Sequence, residues 1–225
     1  MPSSWPGLLA ESPRVIALAG IILAGLWASN FAYDRDVPQY VSRKIGHAAG
    51  GLCFLLAPFL FSSVWLPVFL AGAFAVILLL ARLLRPDTFR GVGGNRRGSD
   101  SFAEIAFAAV AVPVYLVGWW WLKQPLAAAA ALLFMAWGDG VTGLVRARLY
   151  RRPVKGLWGS AAMLGVCLAL AWALVKPFWA GGVAALAATG TEMMFGDVGL
   201  VKRIDDNLAI PIISLGVVAG LLALV

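Results

Sequence analysis

The sequence predicts an all-α, polytopic transmembrane bundle of about eight helices, formed by a single domain over residues 1–225. Hydrophobic residues make up 61% of the chain and charged residues only 13%, whereas a soluble domain carries about 25% charged residues. The apolar residues also fall into runs of about twenty, the helix length that crosses a hydrocarbon core of roughly 30 Å. Because so little polar surface is left to cover a core in water, the chain needs lipid as its solvent.

The apolar runs give the predicted spans in order. The seventh run is rich in Gly and Ala and contains Glu192, and the count falls to seven if this run does not cross. The eight runs lie near 14–33, 44–62, 65–85, 101–121, 125–145, 157–176, 177–196 and 207–225.

The basic residues predict the orientation of these spans. Fifteen of the 18 Lys and Arg residues lie in or beside four alternate connections near 34–44, 85–101, 146–156 and 197–207, with Arg82 counted just before the second of them, and only Arg14, Lys123 and Lys176 lie on the opposite side. The positive-inside rule makes the basic side cytoplasmic and places both termini outside. Topology therefore explains the net charge of +7, and nucleic acid is not expected as a partner. We expect a multi-pass protein of a cell or organelle membrane.

Three acidic residues, Glu104, Asp139 and Glu192, fall inside apolar helices. An ionisable group within a span costs at least about 2.5 kcal/mol unless it faces a cavity or a partner, so each is a candidate functional residue. Asp139 stands between Gly138 and Gly140, and its hard oxygen atoms suit Mg²⁺. The alternative is a glycine pair for helix packing with an incidental Asp.

His47, the single histidine, lies four residues after Arg43. Positions i and i+4 share a helix face, so both side chains point the same way at the cytoplasmic end of the second helix. His47 is thus a candidate catalytic group, or else a packed core histidine. Glu104 follows the Gly-rich loop and is expected either to join the same cluster or to pair with Arg97.

Two further connections carry candidate ligands. Lys155 leads into Gly159 and Ser160, which offer an ammonium group, free backbone N–H groups and a hydroxyl for phosphate; the alternative is an ordinary cluster of basic residues that marks topology. Asp205, Asp206 and Asn207 precede the last helix. They suit an N-cap, and they equally suit a metal as oxygen donors.

Taken in order, these motifs resemble the phytol kinase and dolichol kinase family, membrane lipid kinases related to phosphatidate cytidylyltransferases. The resemblance covers residues 40–215. Gly156 stands where that family usually has Ser or Thr, and Arg146 where it often has glycine. The matching motifs are Arg43-Lys44-x-x-His47-x-x-Gly50, Glu104, Gly138-Asp139-Gly140, Lys155-x-x-x-Gly159-Ser160, Glu192 and Asp205-Asp206-Asn207-x-x-x-Pro211.

The resemblance implies an enzyme that moves the terminal phosphate of a nucleoside triphosphate, typically CTP, to the hydroxyl of a lipid alcohol. The acceptor would be phytol, geranylgeraniol, a dolichol-type polyprenol or diacylglycerol, with Mg²⁺ or Mn²⁺ assisting at the cytoplasmic face. The expected roles are metal binding by Asp139, Asp206 and Asn207 with Asp205, phosphate binding by Arg43, Lys44, Arg97, Lys155, Gly159 and Ser160, and catalysis by Asp139 with Glu104, His47 or Glu192 acting on the hydroxyl.

Two rival functions stay open at this point. Lys202 and Arg203 before Asp205-Asp206 suit a cytidylyltransferase that forms a CDP-lipid, although no histidine follows residue 47. A lipid or anion transporter would explain buried charges along a path. A transporter also predicts polar residues in the outer half of the bundle, and that half is apolar and aromatic. Oligomeric state is not predicted.

Overall fold

Long helices account for nearly all of the chain that the computed structural model describes, which is residues 5–93, 102–150, 156–195 and 204–224, without the side chains of residues 5–10 and 146. We number the helices in chain order. They are α1 Trp5–Tyr33, α2 Gln39–Leu60, α3 Trp65–Leu84, the short α4 Arg90–Gly93, α5 Ala103–Trp121, α6 Pro125–Tyr150, α7 Leu157–Leu174, α8 Phe178–Met194 and α9 Asp206–Leu222.

Two of these helices contain π-helical turns. In α5 the last turns, Leu116–Trp121, are π-helical, and α6 has π-helical turns at Phe134–Gly138 and Arg146–Tyr150. A π-helical turn inserts a residue into the helix and is frequent at functional sites. The turn Phe134–Gly138 ends directly before Asp139, so it sets the direction in which that carboxylate leaves the helix.

Each of the eight predicted runs corresponds to one long helix. Five of the described helices are long and apolar enough to cross a membrane, namely the segments Glu11–Tyr33, Trp65–Leu84, Ala103–Trp121, Pro125–Tyr150 and Leu157–Leu174. α2 carries the basic pair Arg43 and Lys44 within its length, and α8 and α9 have 17 residues each. The protein is therefore an all-helical, multi-pass membrane protein, while the count of eight spans and the orientation of the termini stay predictions.

Several boundaries differ from those predicted. α1 begins at Trp5 and α2 at Gln39, ahead of the apolar runs, because a helix continues through polar residues wherever its backbone hydrogen bonds do. α6 continues to Tyr150, through the first residues of the predicted basic loop. The Gly-rich segment predicted as a loop contains the helical turn α4.

α6 lies at the centre of the bundle. In the most apolar 18-residue stretch of α6, 78% is buried inside the protein, whereas the corresponding value for α3 is 17%. Its first turns are a run of alanines, Ala127 to Ala131, all buried, and such small side chains let neighbouring helices approach closely. The outer helices instead expose large apolar side chains such as Leu23, Trp27 and Phe69, as a surface that faces lipid requires.

Hydrogen bonds and ion pairs join the connections at each end of the bundle. At one end Arg90 pairs with Asp34 at 3.1 Å, and Asn30 bonds to Thr88 and Gly91 in the connection after α3. At the other end Arg14 donates to the Leu60 carbonyl. We call the first the basic end, since it carries the connections at 34–38 and 85–89.

Gly91 permits the closest approach of α4 to α1. A Cβ at this position would lie 2.3 Å from the Ser29 carbonyl carbon, and backbone cannot move aside as a flexible side chain can. We expect Gly91→Ala to lower the free energy of unfolding in detergent by about 1–3 kcal/mol, as for other overpacked sites. Thermal unfolding followed by circular dichroism would measure it.

Gly165→Ala is the matched control for this substitution. Nothing lies within 4 Å of a Cβ at Gly165, and alanine is favoured over glycine inside a helix by about 0.5–1 kcal/mol. Equal thermal midpoints for the two variants would contradict the close packing of α4 on α1.

Candidate functional site

The site is centred on a buried ion pair between two helices. Lys44 Nζ on α2 donates to Asp139 Oδ2 on α6. Their side chains are only 12% and 5% exposed, so water screens the two charges little. Removing charge from water costs several kcal/mol for each ion, and a close partner is what makes it tolerable. The pair therefore holds the first turns of α2 against α6.

The local sequence of α6 builds this contact. Thr142, one turn after Asp139, places its hydroxyl 3.0 Å from Asp139 Oδ1 and 2.6 Å from the Asp139 carbonyl oxygen. Gly143 lies on the same face as Asp139, and a Cβ there would be 2.9 Å from Lys44 Cε. Because Gly143 has no side chain, the aliphatic part of Lys44 can pass over it to reach Asp139.

His47 lies on the same face of α2 as Arg43. Arg43 Nε donates to His47 Nε2 at 3.4 Å, and the imidazole stacks on Phe107 of α5 with ring centroids 4.1 Å apart. The imidazole is 2% exposed, and its Nδ1 has no hydrogen-bond partner in the described part of the chain. Because a guanidinium can only donate, Nε2 must accept, so the proton of a neutral imidazole is on Nδ1.

The start of α9 brings a second carboxylate to the site. Asp206 is within electrostatic reach of Asp139, Lys44 and Arg43. Asp205 is the N-cap of α9, where its Oδ1 accepts from the Asn207 backbone N–H at 2.9 Å. Asn207 is 1% exposed; its Nδ2 donates to Asp205 and to Ala103 of α5. The N-cap expected from the Asp-Asp-Asn sequence is thus confirmed.

The first turn of α7 lies beside Thr142. A Cβ at Gly159 would be 3.6 Å from Thr142 Cβ, so the helix start approaches the Asp139 turn of α6 closely. Ser160 is 7% exposed, and its hydroxyl has no partner among the residues described. The backbone N–H groups of Gly159 and Ser160 donate to the Gly156 carbonyl oxygen, so this helix start offers an anion the Ser160 hydroxyl and the N–H groups that precede Gly159.

Glu104 and Glu192, the other two acidic residues within apolar helices, lie in different environments. Glu104 pairs with Arg82 of α3 at 2.8 Å, and Arg82 also stacks on Phe102. The alternative in which Glu104 also pairs with Arg97 stays a prediction, because Arg97 lies outside the described ranges. Glu192 is fully buried on α8, which packs against α7 and α9.

The structure thus brings together a large part of the predicted set. The members that share one electrostatic neighbourhood are Arg43, Lys44, His47, Asp139 and Asp206. Gly159 lies next to this group because it packs against Thr142, which bonds to Asp139. Arg97 and Lys155 fall outside the described residues, and their roles stay predictions.

Magnesium fits these residues only together with other ligands. The described residues contain no group of three His, Cys, Asp or Glu side chains able to hold a metal ion. Mg²⁺, however, uses one or two carboxylates and completes its shell with water and phosphate. Asp139 and Asp206 repel each other in this apolar setting, and the buried Asn207 Oδ1 has no partner in the described structure. A cation that arrives with phosphate would satisfy all three.

Three residues of this arrangement, Thr142, Gly143 and Arg82, were not predicted from the sequence as site residues. Thr142 and Gly143 follow Asp139 at three and four residues, which is the spacing of one helix face, so the pattern could have indicated them. Arg82 was counted only as a topology signal, and nothing in its sequence context indicated that it pairs with Glu104.

Comparison with known proteins gives one informative similarity. The chain is 29% identical to a phytol kinase of Synechocystis sp. over 227 aligned positions, which cover 94% of this chain and 91% of that protein. No family model matches the sequence. No solved structure matches it either. The similarity runs along nearly the whole chain and so includes every element of the site.

The ion pair makes a specific prediction for stability. Either Lys44→Met or Asp139→Asn leaves the partner charge buried and uncompensated, so each is expected to lower the free energy of unfolding by about 3–5 kcal/mol. The double variant is expected to recover much of the loss, because no lone charge remains. Thermal unfolding of all four proteins in detergent gives the coupling energy.

The exposed pair between Asp34 and Arg90 provides the matched control. Its side chains are 48% and 45% exposed, and surface pairs contribute only about 0–1 kcal/mol. If Asp34→Asn destabilises the protein as much as Asp139→Asn does, the pair on α2 and α6 is not the buried interaction described above.

Proposed function

We propose that this protein is a membrane lipid kinase that transfers the terminal phosphate of a nucleoside triphosphate, CTP in the first instance, to the hydroxyl of a prenol such as phytol or geranylgeraniol. One observation carries the proposal: cations and carboxylates from α2, α6 and α9 meet at a buried site in a bundle that is otherwise apolar. The similarity to a phytol kinase over 94% of the chain supports the same reaction.

Phosphoryl transfer suits such a site because it demands little covalent chemistry from the protein. The transition state spreads negative charge over the phosphoryl oxygens, so catalysis consists mainly of positioning and neutralisation. Lys44 and Arg43 would supply positive charge, and the α7 start with Ser160 would supply N–H and O–H donors. In the proposed orientation the site faces the cytoplasm, where nucleotide is available.

Asp139 and Asp206 would hold Mg²⁺ with the amide oxygen of Asn207. The ion would bridge phosphate oxygens and offset their charge during transfer. Asp205 is the weaker candidate ligand, since one of its oxygens already caps α9.

Lys44 would change partners when nucleotide binds. Both oxygens of Asp139 are engaged in the ligand-free protein, Oδ2 by Lys44 and Oδ1 by Thr142. A phosphate offers the lysine a more highly charged partner, and the flexible stem over Gly143 lets the ammonium group turn toward it. Asp139 would then be released to the metal.

The decisive test gives purified protein radiolabelled CTP or ATP with a panel of lipid alcohols. We expect labelled prenyl monophosphate together with nucleoside diphosphate. In Asp139→Asn the rate should fall by about 100-fold or more, as when a main electrostatic group is removed, whereas the exposed Asp34→Asn should retain its rate. Undiminished transfer by Asp139→Asn would remove Asp139 from the mechanism, and release of pyrophosphate would indicate a cytidylyltransferase instead.

Metal removal tests the carboxylate assignment separately. Excess EDTA is expected to abolish transfer, because the triphosphate would meet Asp139 and Asp206 without a cation between them. Added Mg²⁺ or Mn²⁺ should restore the rate. Activity that persists through exhaustive chelation would count against a metal held by these residues.

A further inference from the structure

A large apolar pocket lies beside the site, on the other side of His47. Its volume is about 340 Å³, within the range of about 300–1,000 Å³ found for small-molecule sites. α2 forms the floor with a stripe of small or flat residues, Gly50, Cys53, Phe54 and Ala57. α1 contributes Leu18, Ile22 and Leu26, and α3 contributes Leu70, Ala71 and Phe74.

The stripe on α2 runs along the helix axis from the polar site. His47 is followed on the same face by Gly50, Cys53 and Ala57 at spacings of three to four residues. At 1.5 Å per residue, the distance from His47 to Ala57 is about 15 Å along the axis. The pocket therefore extends along α2 from the side of His47 away from the basic end.

The end of the pocket nearest the site becomes polar. A small cavity of about 30 Å³ continues from it and is lined by both His47 and Glu104. A cavity needs about 10–15 Å³ to hold one water, so this one accommodates a hydroxyl group. The residues shared by the two cavities are Ile22, Leu26, Gly50, Phe74 and Phe107.

The pocket opens sideways between α1 and α3. Leu23 on α1 and Ile77 on α3 both line it, and their side chains are 63% and 52% exposed. α1 packs mainly on α2, and α3 mainly on α5, so a gap is left between α1 and α3. In a membrane this gap faces lipid and not water.

From this arrangement we infer, building on the kinase proposal, that the pocket binds the single hydrocarbon chain of the alcohol and that the hydroxyl lies between His47 and Glu104. The chain enters from the bilayer between α1 and α3. His47 Nδ1–H donates to the hydroxyl oxygen, and the Glu104 carboxylate accepts the hydroxyl proton. His47 also lies within electrostatic reach of Lys44 and Asp139. A hydroxyl bound to His47 is therefore next to the residues proposed to bind phosphate and metal.

The alcohol oxygen forms a bond to the terminal phosphorus, and its proton passes to Glu104. The bond from that phosphorus to the bridging oxygen breaks, and the nucleoside diphosphate leaves with the electron pair. The ion pair with Arg82 holds the Glu104 carboxylate in position before the step. Glu192 lines neither cavity, so this arrangement assigns it no role at the hydroxyl, and its role in catalysis stays a prediction.

Chemical labelling of Cys53 tests the pocket independently of any activity. Both cysteines are buried, but Cys53 lines the pocket, whereas Cys167 lies away from it against Gly138 and Met163. A small methanethiosulfonate should label Cys53 in the full chain in nanodiscs, and saturating geranylgeraniol should slow that labelling at least about fivefold. Mass spectrometry reads both cysteines, and Cys167 reports any unfolding. Unchanged Cys53 labelling would overturn the pocket assignment even if the protein is a kinase.

Steady-state kinetics with alcohols of two lengths test the same pocket through function. Ala71→Phe fills part of it and should raise KM for geranylgeraniol relative to KM for the short geraniol by about tenfold or more, since each excluded methylene weakens binding several-fold. Ala169→Phe, on the exposed face of α7, is the control and should leave this ratio unchanged. Equal ratios in both variants would overturn the pocket.

Glu104→Gln tests the hydroxyl end. It should lower kcat by about 100-fold or more while geranylgeraniol still protects Cys53, because the chain-binding part is intact. Loss of protection with unchanged kcat would assign Glu104 to structure instead. Protection of Cys53 without phosphorylation in the native protein would uphold the pocket and reject the kinase proposal.

Discussion

The ion pair between Lys44 and Asp139 is the constraint on which the rest of the site depends. Two charges are held in an apolar bundle, which costs more than a pair of well-packed hydrophobic residues would. Holding them there fixes the register of α2 against α6. This register also places the residues one turn away from the pair. Thr142 donates a hydrogen bond to the Asp139 carboxylate, Gly143 makes room for the lysine stem, and His47 packs against α5. An interaction this costly is better explained by chemistry than by stability.

The helices, and Asp139 as a candidate site residue, could be predicted from the sequence, because both depend on local sequence pattern. An apolar run of about twenty residues specifies a span, and a carboxylate inside one requires a reason. The partner of Asp139 could not be predicted in the same way. Arg43 and Lys44 are adjacent, yet successive helix positions point about 100° apart, and only the packing of α2 on α6 selects Lys44 for Asp139 and leaves Arg43 to His47. The Arg82–Glu104 pair likewise depends on how α3 meets α5.

Helix ends were the other feature beyond reach of the sequence pattern. Hydropathy marks where a helix meets lipid, but hydrogen bonding decides where it ends, so α1, α2 and α6 extend past their apolar runs. The π-helical turn before Asp139 has no hydropathy signal at all. It shifts the side-chain direction by the extra residue it contains, and in this way Asp139 can face α2 while the alanines of the same helix pack in the core.

The opening between α1 and α3 has a kinetic consequence. A chain that slides in from the bilayer is never dissolved in water, so the encounter is two-dimensional and its rate follows the mole fraction of alcohol among the lipids. Dilution with inert lipid would slow such an enzyme at constant bulk concentration, whereas dilution of whole vesicles would not. The phosphorylated product carries a charged head that the apolar slot disfavours. Substrate arrival and product departure would therefore use different faces of the protein.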